Sequence, residues 1–250
     1  MLALTQQEAE EMVFSNWIES TTDFDEEDIT PRYYRTEEEL TAKAVCGSDD
    51  RIKVTTTTKM PYKAICKLYM KSPSEKKNYI GTGWLTHTNK LYTAGHCVYD
   101  RKEKGWMKSI IVVPGKSGNT EPYGRYYASA FTTTRGWKEK GIPRYDMGAI
   151  KISSDVSHSD VLTPMLEDPV RGEICGYPAD RDTGIFQYRM EDSLRKAGGQ
   201  FKYMLDTYGG QSGSPLLKDR SVAVGIHNYG GCPNSASDLY QLFVNTVNQW

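Results

Sequence analysis

Three short stretches hold the residue types that acyl-transfer chemistry needs. In Thr93-Ala94-Gly95-His96-Cys97 a histidine follows an apolar run. In Tyr145-Asp146-Met147-Gly148-Ala149-Ile150 a carboxylate heads such a run, and in Gly209-Gly210-Gln211-Ser212-Gly213-Ser214-Pro215 a serine sits in a glycine-rich turn. A serine hydroxyl is a weak nucleophile until a base within hydrogen-bond reach takes its proton. That base needs a third group to fix its tautomer and stabilise its charged form. Glycines beside Ser212 let the backbone turn amides toward a developing oxyanion, which points to the N–H groups of Gly210 and Ser212. Each stretch alone reads as ordinary structure: a histidine at a strand end, an aspartate opening a strand, a Gly-Ser loop. Their joint occurrence in the order His, Asp, Ser, 50 and 66 residues apart, singles out His96, Asp146 and Ser212 as a catalytic triad. An α/β-hydrolase would carry G-x-S-x-G and place its histidine last. Here Ser214 replaces the second glycine, and the only histidine after Ser212 is His227, too near for that topology.

The elements that must position these residues read as short strands. Candidate strands are Ala64–Tyr69, Gly83–Thr86, Lys90–Thr93, Ser109–Val113, Met147–Ile152, Glu173–Gly176, Phe201–Leu205, Pro215–Leu217 and Val222–His227. Turn formers separate them, including Gly115–Gly118, Gly141–Pro143 and Gly198–Gly199, a pattern of all-β barrels or sandwiches. Leu239, Leu242, Phe243, Val247 and Trp250 recur at helical spacing, so a C-terminal helix is expected, with Ser237 or Asp238 as its cap. A short helix is expected near Glu8–Ile18. The 250 residues, 25% charged and 11% aromatic, suit one large or two compact domains and contain no apolar run of membrane-spanning length. The N-terminus lacks the basic and apolar regions of a signal peptide.

A net charge of −1 conceals an asymmetry. Residues 1–43 carry twelve acids and three bases, and the remainder 28 bases and 20 acids. A solvated acidic tail is one reading; a removable prosegment lying against a basic body is the other. The five cysteines, Cys46, Cys66, Cys97, Cys175 and Cys232, contain no CxxC pair. A zinc or redox site therefore has little support, and an odd number leaves at least one thiol without a partner within the chain.

From Ala44 onward the chain resembles the chymotrypsin superfamily, whose signatures read TAxHC and GxSGxP. The likeness is greatest to the bacterial glutamyl endopeptidases, carried by Ser48–Arg51 (SDDR), Thr93–Asp100 (TAGHCVYD), Gly176–Pro178 (GYP) and Asp206–Pro215 (DTYGGQSGSP). The resemblance implies an all-β fold of two six-stranded antiparallel barrels with a C-terminal helix: an acidic prosegment at 1–43, a first barrel at 44–150 with His96 and Asp146, and a second at 151–250 with Ser212. It implies a secreted, monomeric serine endopeptidase that needs no cofactor or metal, acts on proteins or peptides, and binds neither nucleic acid nor membrane. It also implies a substrate site made of Thr207, His227, the α-amino group of Ala44 freed by cleavage after Lys43, and the edge strand Asn228-Tyr229-Gly230.

Such a site would take glutamate, because a buried carboxylate needs donors for both oxygens and a hydroxyl and an imidazole supply them. Asp206, six residues before Ser212, supports the rival reading of trypsin-like Lys/Arg selection. Gln211 stands where trypsin-like zymogens carry the aspartate that pairs with a new N-terminus, so that salt bridge cannot form here. The family's usual partner for the cysteine after the histidine is absent from Asn78–Gly83, leaving Cys97 free or paired elsewhere, with Cys66 a candidate. An inactive homologue used as a binding module, and an esterase with little peptidase activity, are the remaining alternatives.

Overall fold

The computed structural model describes residues 14–17 and 45–250. The strands of its first half are β1 (Phe14–Trp17), β2 (Ile52–Lys53), β3 (Ile65–Lys71), β4 (Asn78–His87), β5 (Lys90–Thr93), β6 (Tyr99–Asp100), β7 (Gly105–Trp106), β8 (Ser109–Pro114), β9 (Tyr126–Thr133) and β10 (Gly148–Ile152). The second half adds β11 (Thr163–Pro164), β12 (Arg171–Gly176), β13 (Tyr188–Ser193), β14 (Arg195–Ala197), β15 (Gln200–Tyr203), β16 (Pro215–Leu217), β17 (Val222–Tyr229) and β18 (Asn234–Asp238), then helix α1 (Gln241–Gln249). In the first sheet the order β9-β10-β5-β4-β3-β8 closes on itself through a β8–β9 pairing, giving a six-stranded barrel. In the second sheet the order is β14-β15-β18-β17-β16-β12-β13-β2, a half-barrel, with β11 parallel to β17. The mostly β architecture with a C-terminal helix is the expected one.

Alternation and closure explain the barrel. Apolar side chains of β3, β4, β5, β8 and β10 bury Leu68, Trp84, Leu91, Val112 and Ile150 in one core. A second cluster lies within the half-barrel around Ile174, Phe201, Leu216 and Val224. Helix α1 buries Phe243 and Val247, one helical turn apart, and the Phe243 ring packs 4.9 Å from Tyr92. Lys90 donates to the Val247 carbonyl at 2.9 Å and Lys151 to that of Trp250 at 3.2 Å, placing cations where a helix end is negative. The helix starts later than expected, after Tyr240 and without a side-chain cap, because Ser237 and Asp238 belong to β18.

Near the N-terminus the expected helix is overturned at Phe14–Trp17, which forms a strand antiparallel to β9; the rest of Glu8–Ile18 lies outside the described residues. Strand β8 meets β9 only at Tyr126 and Tyr127, and β1 pairs with the later part of β9 from Ala130 to Thr133. Among the described residues no helix is long and apolar enough to cross a membrane.

The disulfide joins Cys46 to Cys232, while Cys66, Cys97 and Cys175 are free and buried. This corrects Cys66 as the partner of Cys97. The position beside the Cys97 sulfur is Gly81, where a Cβ would stand 3.2 Å away.

One interior group is costly. Lys67 on β3 is buried, its ammonium has no hydrogen-bond partner, and it lies 5.5 Å from the Tyr177 ring and 5.6 Å from that of Tyr69. Burial, with the neighbouring charge of Lys116, pushes its pKa well below the ordinary lysine value. The unfolded chain therefore binds the proton more readily, and the penalty grows as pH falls from the ordinary lysine range. Lys67→Met should stabilise the protein by about 1–3 kcal/mol near neutral pH. Urea unfolding at several pH values should find the gain shrinking as pH rises toward 10.

Candidate active site

Sheet register brings the first two predicted residues together. Strands β5 and β10 pair with Thr93 opposite Gly148. His96 lies three residues past Thr93, in a tight turn at Gly95–Cys97, and Asp146 two residues before Gly148, after a turn at Pro143–Tyr145. Both thus project at one barrel end. The Asp146 side chain has no exposure and His96 keeps 31% of its own. Asp146 Oδ1 accepts the His96 backbone N–H at 2.8 Å, and Oδ2 meets His96 Nδ1 at 2.7 Å. Burial works against the protonated ring, yet the Asp146 carboxylate, helped by Cys97, holds the His96 pKa well above the ordinary histidine value.

The peptides around Asp146 are pinned by Thr133 and Thr134, which sequence reasoning did not single out, and by Asn228, expected instead for the substrate-binding edge strand. Thr134 Oγ1 donates to the Tyr145 carbonyl at 2.5 Å, Thr133 Oγ1 to that of Met147 at 2.8 Å, and Asn228 Nδ2 to that of Asp146 itself. Asn228 comes from β17, so the half-barrel helps to orient a carboxylate of the closed barrel.

Ser212 stands at the tip of the turn before β16. Thr82 of β4 grips that turn from the first barrel: its N–H donates to the Ser212 carbonyl at 2.9 Å and its Oγ1 to that of Gly210 at 2.8 Å. The Cys97 sulfur, next to His96, lies 3.7 Å from the same Ser212 oxygen. Only glycine fits after the serine, since Gly213 has φ +89° and an added Cβ would fall 2.1 Å from the Thr82 carbonyl. Gln211 is buried and braces the loop by accepting the Tyr208 N–H at 3.1 Å. With carbonyls 210 and 212 held from behind, the N–H groups of Gly210 and Ser212 donate to nothing else among the described residues.

Asp206 and Thr207 are buried neighbours with opposite roles. Asp206 Oδ1 accepts the Cys46 N–H at 2.7 Å and Oδ2 the Asp50 N–H at 3.1 Å, so its carboxylate is consumed by the segment at 45–50. Thr207 Oγ1 is buried without a hydrogen-bond partner. His227 on β17 is bound into the serine turn, its carbonyl accepting the Gly213 N–H at 2.7 Å and its N–H donating to the Ser214 carbonyl at 2.9 Å. Burial, then the charge of His96, lowers its pKa to about 3, so the ring is neutral. The buried Tyr203 hydroxyl lies 2.7 Å from His227 Nδ1; assigned as the donor, it leaves the ring proton on Nε2. Tyr229 is half-buried and Gly230 exposed beyond it, while Ala44 lies outside the described residues.

The SDDR stretch and the residues just after GYP meet here as well. The Arg51 guanidinium, with no exposure, forms paired bonds to Asp49 at 2.9 and 2.6 Å and to Asp180 at 3.0 and 2.6 Å. Ala179 next to Asp180 donates to the Gly209 carbonyl at 2.7 Å. The segment 45–51 is therefore fastened to the serine loop through Asp206 and Arg51, and to the turn after β17 by the Cys46–Cys232 bridge.

The Trypsin family model matches residues 52–250. The chain is similar to a glutamyl endopeptidase of Bacillus licheniformis, 34% identical over 72% of this chain; it spans 56% of that relative's length. It is 32% identical to a protein of Bacillus subtilis named extracellular metalloprotease, over 84% of this chain and 71% of the relative. Among the described residues no group of three or more His, Cys, Asp or Glu side chains is arranged to hold a metal ion. A solved Glu endopeptidase superposes with TM-score 0.72 at 30% identity, covering 82% of this chain and 98% of that one. The chain belongs to the trypsin family of chymotrypsin-like serine endopeptidases and is related to the glutamyl endopeptidases.

Proposed function

We propose that the protein hydrolyses peptide bonds on the carboxyl side of glutamate through an acyl-enzyme. Ser212 attacks the carbonyl carbon while His96 takes the hydroxyl proton, and Asp146 holds the imidazole and stabilises its charged form. The tetrahedral oxygen sits against the Gly210 and Ser212 N–H groups. Collapse expels the amine, which receives the proton from His96, and water then releases the acid by the same steps in reverse roles. The support is the short contact of Asp146 with His96, the Thr82 grip on the Ser212 turn and the two uncommitted amides.

The observation that carries the glutamate reading is the contrast between neighbours. Asp206 has both oxygens occupied by amides, which argues against an acceptor for lysine or arginine, whereas Thr207 keeps a buried hydroxyl with no partner. The neutral ring of His227 carries an N–H that would serve as the second donor. A substrate carboxylate would satisfy both donors, where leaving them unpaired carries a desolvation penalty.

We also propose that residues 1–43 are an acidic prosegment and that cleavage after Lys43 frees an α-amino group as a further charge partner for the glutamate. The anchoring of Cys46 and Asp50 at Asp206 favours this, since it holds the chain close to Ala44 at the same loop. The Cys46–Cys232 disulfide fits a secreted enzyme.

Ser212→Ala should lower turnover on the order of a million-fold with the fold retained, read by peptide hydrolysis and circular dichroism. In the wild type, kcat/KM should fall on acidification through a pKa above the ordinary histidine value, because the base must be neutral to accept the serine proton.

Mass spectrometry of peptides released from a denatured protein should find cleavage after Glu, less after Asp and little after Lys or Arg. Thr207→Val should reduce kcat/KM for glutamate substrates by about ten- to a hundredfold, and His227→Ala by at least as much. A map dominated by Lys and Arg would return the pocket to Asp206.

The full 250-residue chain should be weakly active, and a form beginning at Ala44 fully active. Equal activity of the two forms would remove the prosegment reading.

A further inference from the structure

A substrate running along Asn228–Gly230 alternates its side chains. With glutamate turned toward Thr207 and His227, the residue before it turns the other way, toward His96. That side is walled by rings: Trp137 lies 6.1 Å from the His96 ring and Tyr229 6.3 Å from it. The guanidinium of the exposed Arg101 lies 5.6 Å from the Trp137 ring centre. The charge of Arg101 is also felt at Tyr229. Burial pushes the Tyr229 phenol pKa up, with Asp146 adding to the rise, and Arg101 works against it.

Arg101 is held in place without being neutralised. Its Nε and Nη2 donate weakly, at 3.4 Å, to the carbonyls of Lys138 and Glu139. Among the described residues no carboxylate pairs with it, whereas Arg51, Arg125, Arg135, Arg181 and Arg189 each have one. The acids nearby are engaged elsewhere. Asp100 accepts the N–H groups of Lys102 and Glu103, Glu103 takes the Ser74 N–H and Lys77, and Glu139 faces Arg135. The two loops meeting here, residues 100–104 and 135–144, carry seven bases and three acids.

We propose that Arg101 forms a second specificity site, selecting an acidic side chain on the residue that precedes the glutamate. This rests on the glutamate reading of the Thr207–His227 pocket. An aliphatic stem would lie against Trp137 and the His96 edge while its carboxylate meets the guanidinium.

The test uses matched peptides, Asp-Glu against Asn-Glu, on the active enzyme. Each ratio of kcat/KM is taken within one enzyme, so any general loss of activity in a variant cancels. In the wild type the Asp peptide should be favoured about three- to tenfold, with the preference compressed in 0.5 M salt. Arg101→Gln should bring the ratio close to one, and Arg101→Lys should keep part of the preference. A wild-type ratio near one, or a preference unchanged in Arg101→Gln, overturns the proposal while cleavage after glutamate stands. Failure of the wild type to cut either peptide after glutamate overturns the pocket reading, and this inference with it.

Discussion

A carboxylate with no access to water is the constraint on which the site rests. An ion the size of Asp146 loses its hydration only where donors replace it. The protein supplies the His96 backbone N–H to one oxygen and the His96 ring to the other. Those two bonds fix the histidine in backbone and side chain at once, so the direction of its remaining nitrogen follows from how Asp146 is met. Thr133, Thr134 and Asn228, which hold the carbonyls on either side, set where that carboxylate can be.

Because Asn228 and Thr82 each cross from one half to the other, the site is also a joint. Thr82 of the closed barrel fixes the serine turn of the half-barrel, and Asn228 of the half-barrel fixes the aspartate of the closed barrel. Neither half could reposition Asp146 or Ser212 without breaking a buried bond made by the other. The segment at 45–51 adds a third body to this joint, since the Cys46 and Asp50 amides take both oxygens of Asp206.

The family was legible in the sequence because the residues near His96 and Ser212 must be small. Gly213 sits where any side chain would collide with Thr82, and such constraints leave short, recognisable words. Strands rich in aliphatic residues, such as Ser109–Pro114 and Gly148–Ile152, were equally legible. Strands β9 and β18 were not. Tyr126–Thr133 is largely small and hydroxylated, and Asn234–Asp238 (NSASD) has no large apolar side chain, although all five residues are buried. Its polar groups pair internally: Asn234 with the Leu205 carbonyl, Ser237 with Asn228 and with the Pro143 carbonyl. Threonine is common in strands, so nothing local marked Thr82, Thr133 or Thr134 as supports. The spacing of Asp206 from Ser212 was ambiguous because a count of residues does not say which way a carboxylate faces.

The bridge from Cys46 to Cys232 closes a loop with a sequence separation of 186 residues. In the chain-entropy picture a loop of that size restricts the unfolded ensemble by about 5 kcal/mol. For a peptidase surrounded by copies of itself there is a topological consequence. His96, Asp146 and Ser212 all lie inside the ring, so a single nick anywhere between the two cysteines opens it without releasing a fragment. The cut ends stay tethered to the same fold, and self-digestion must strike the ring twice before a piece can diffuse away.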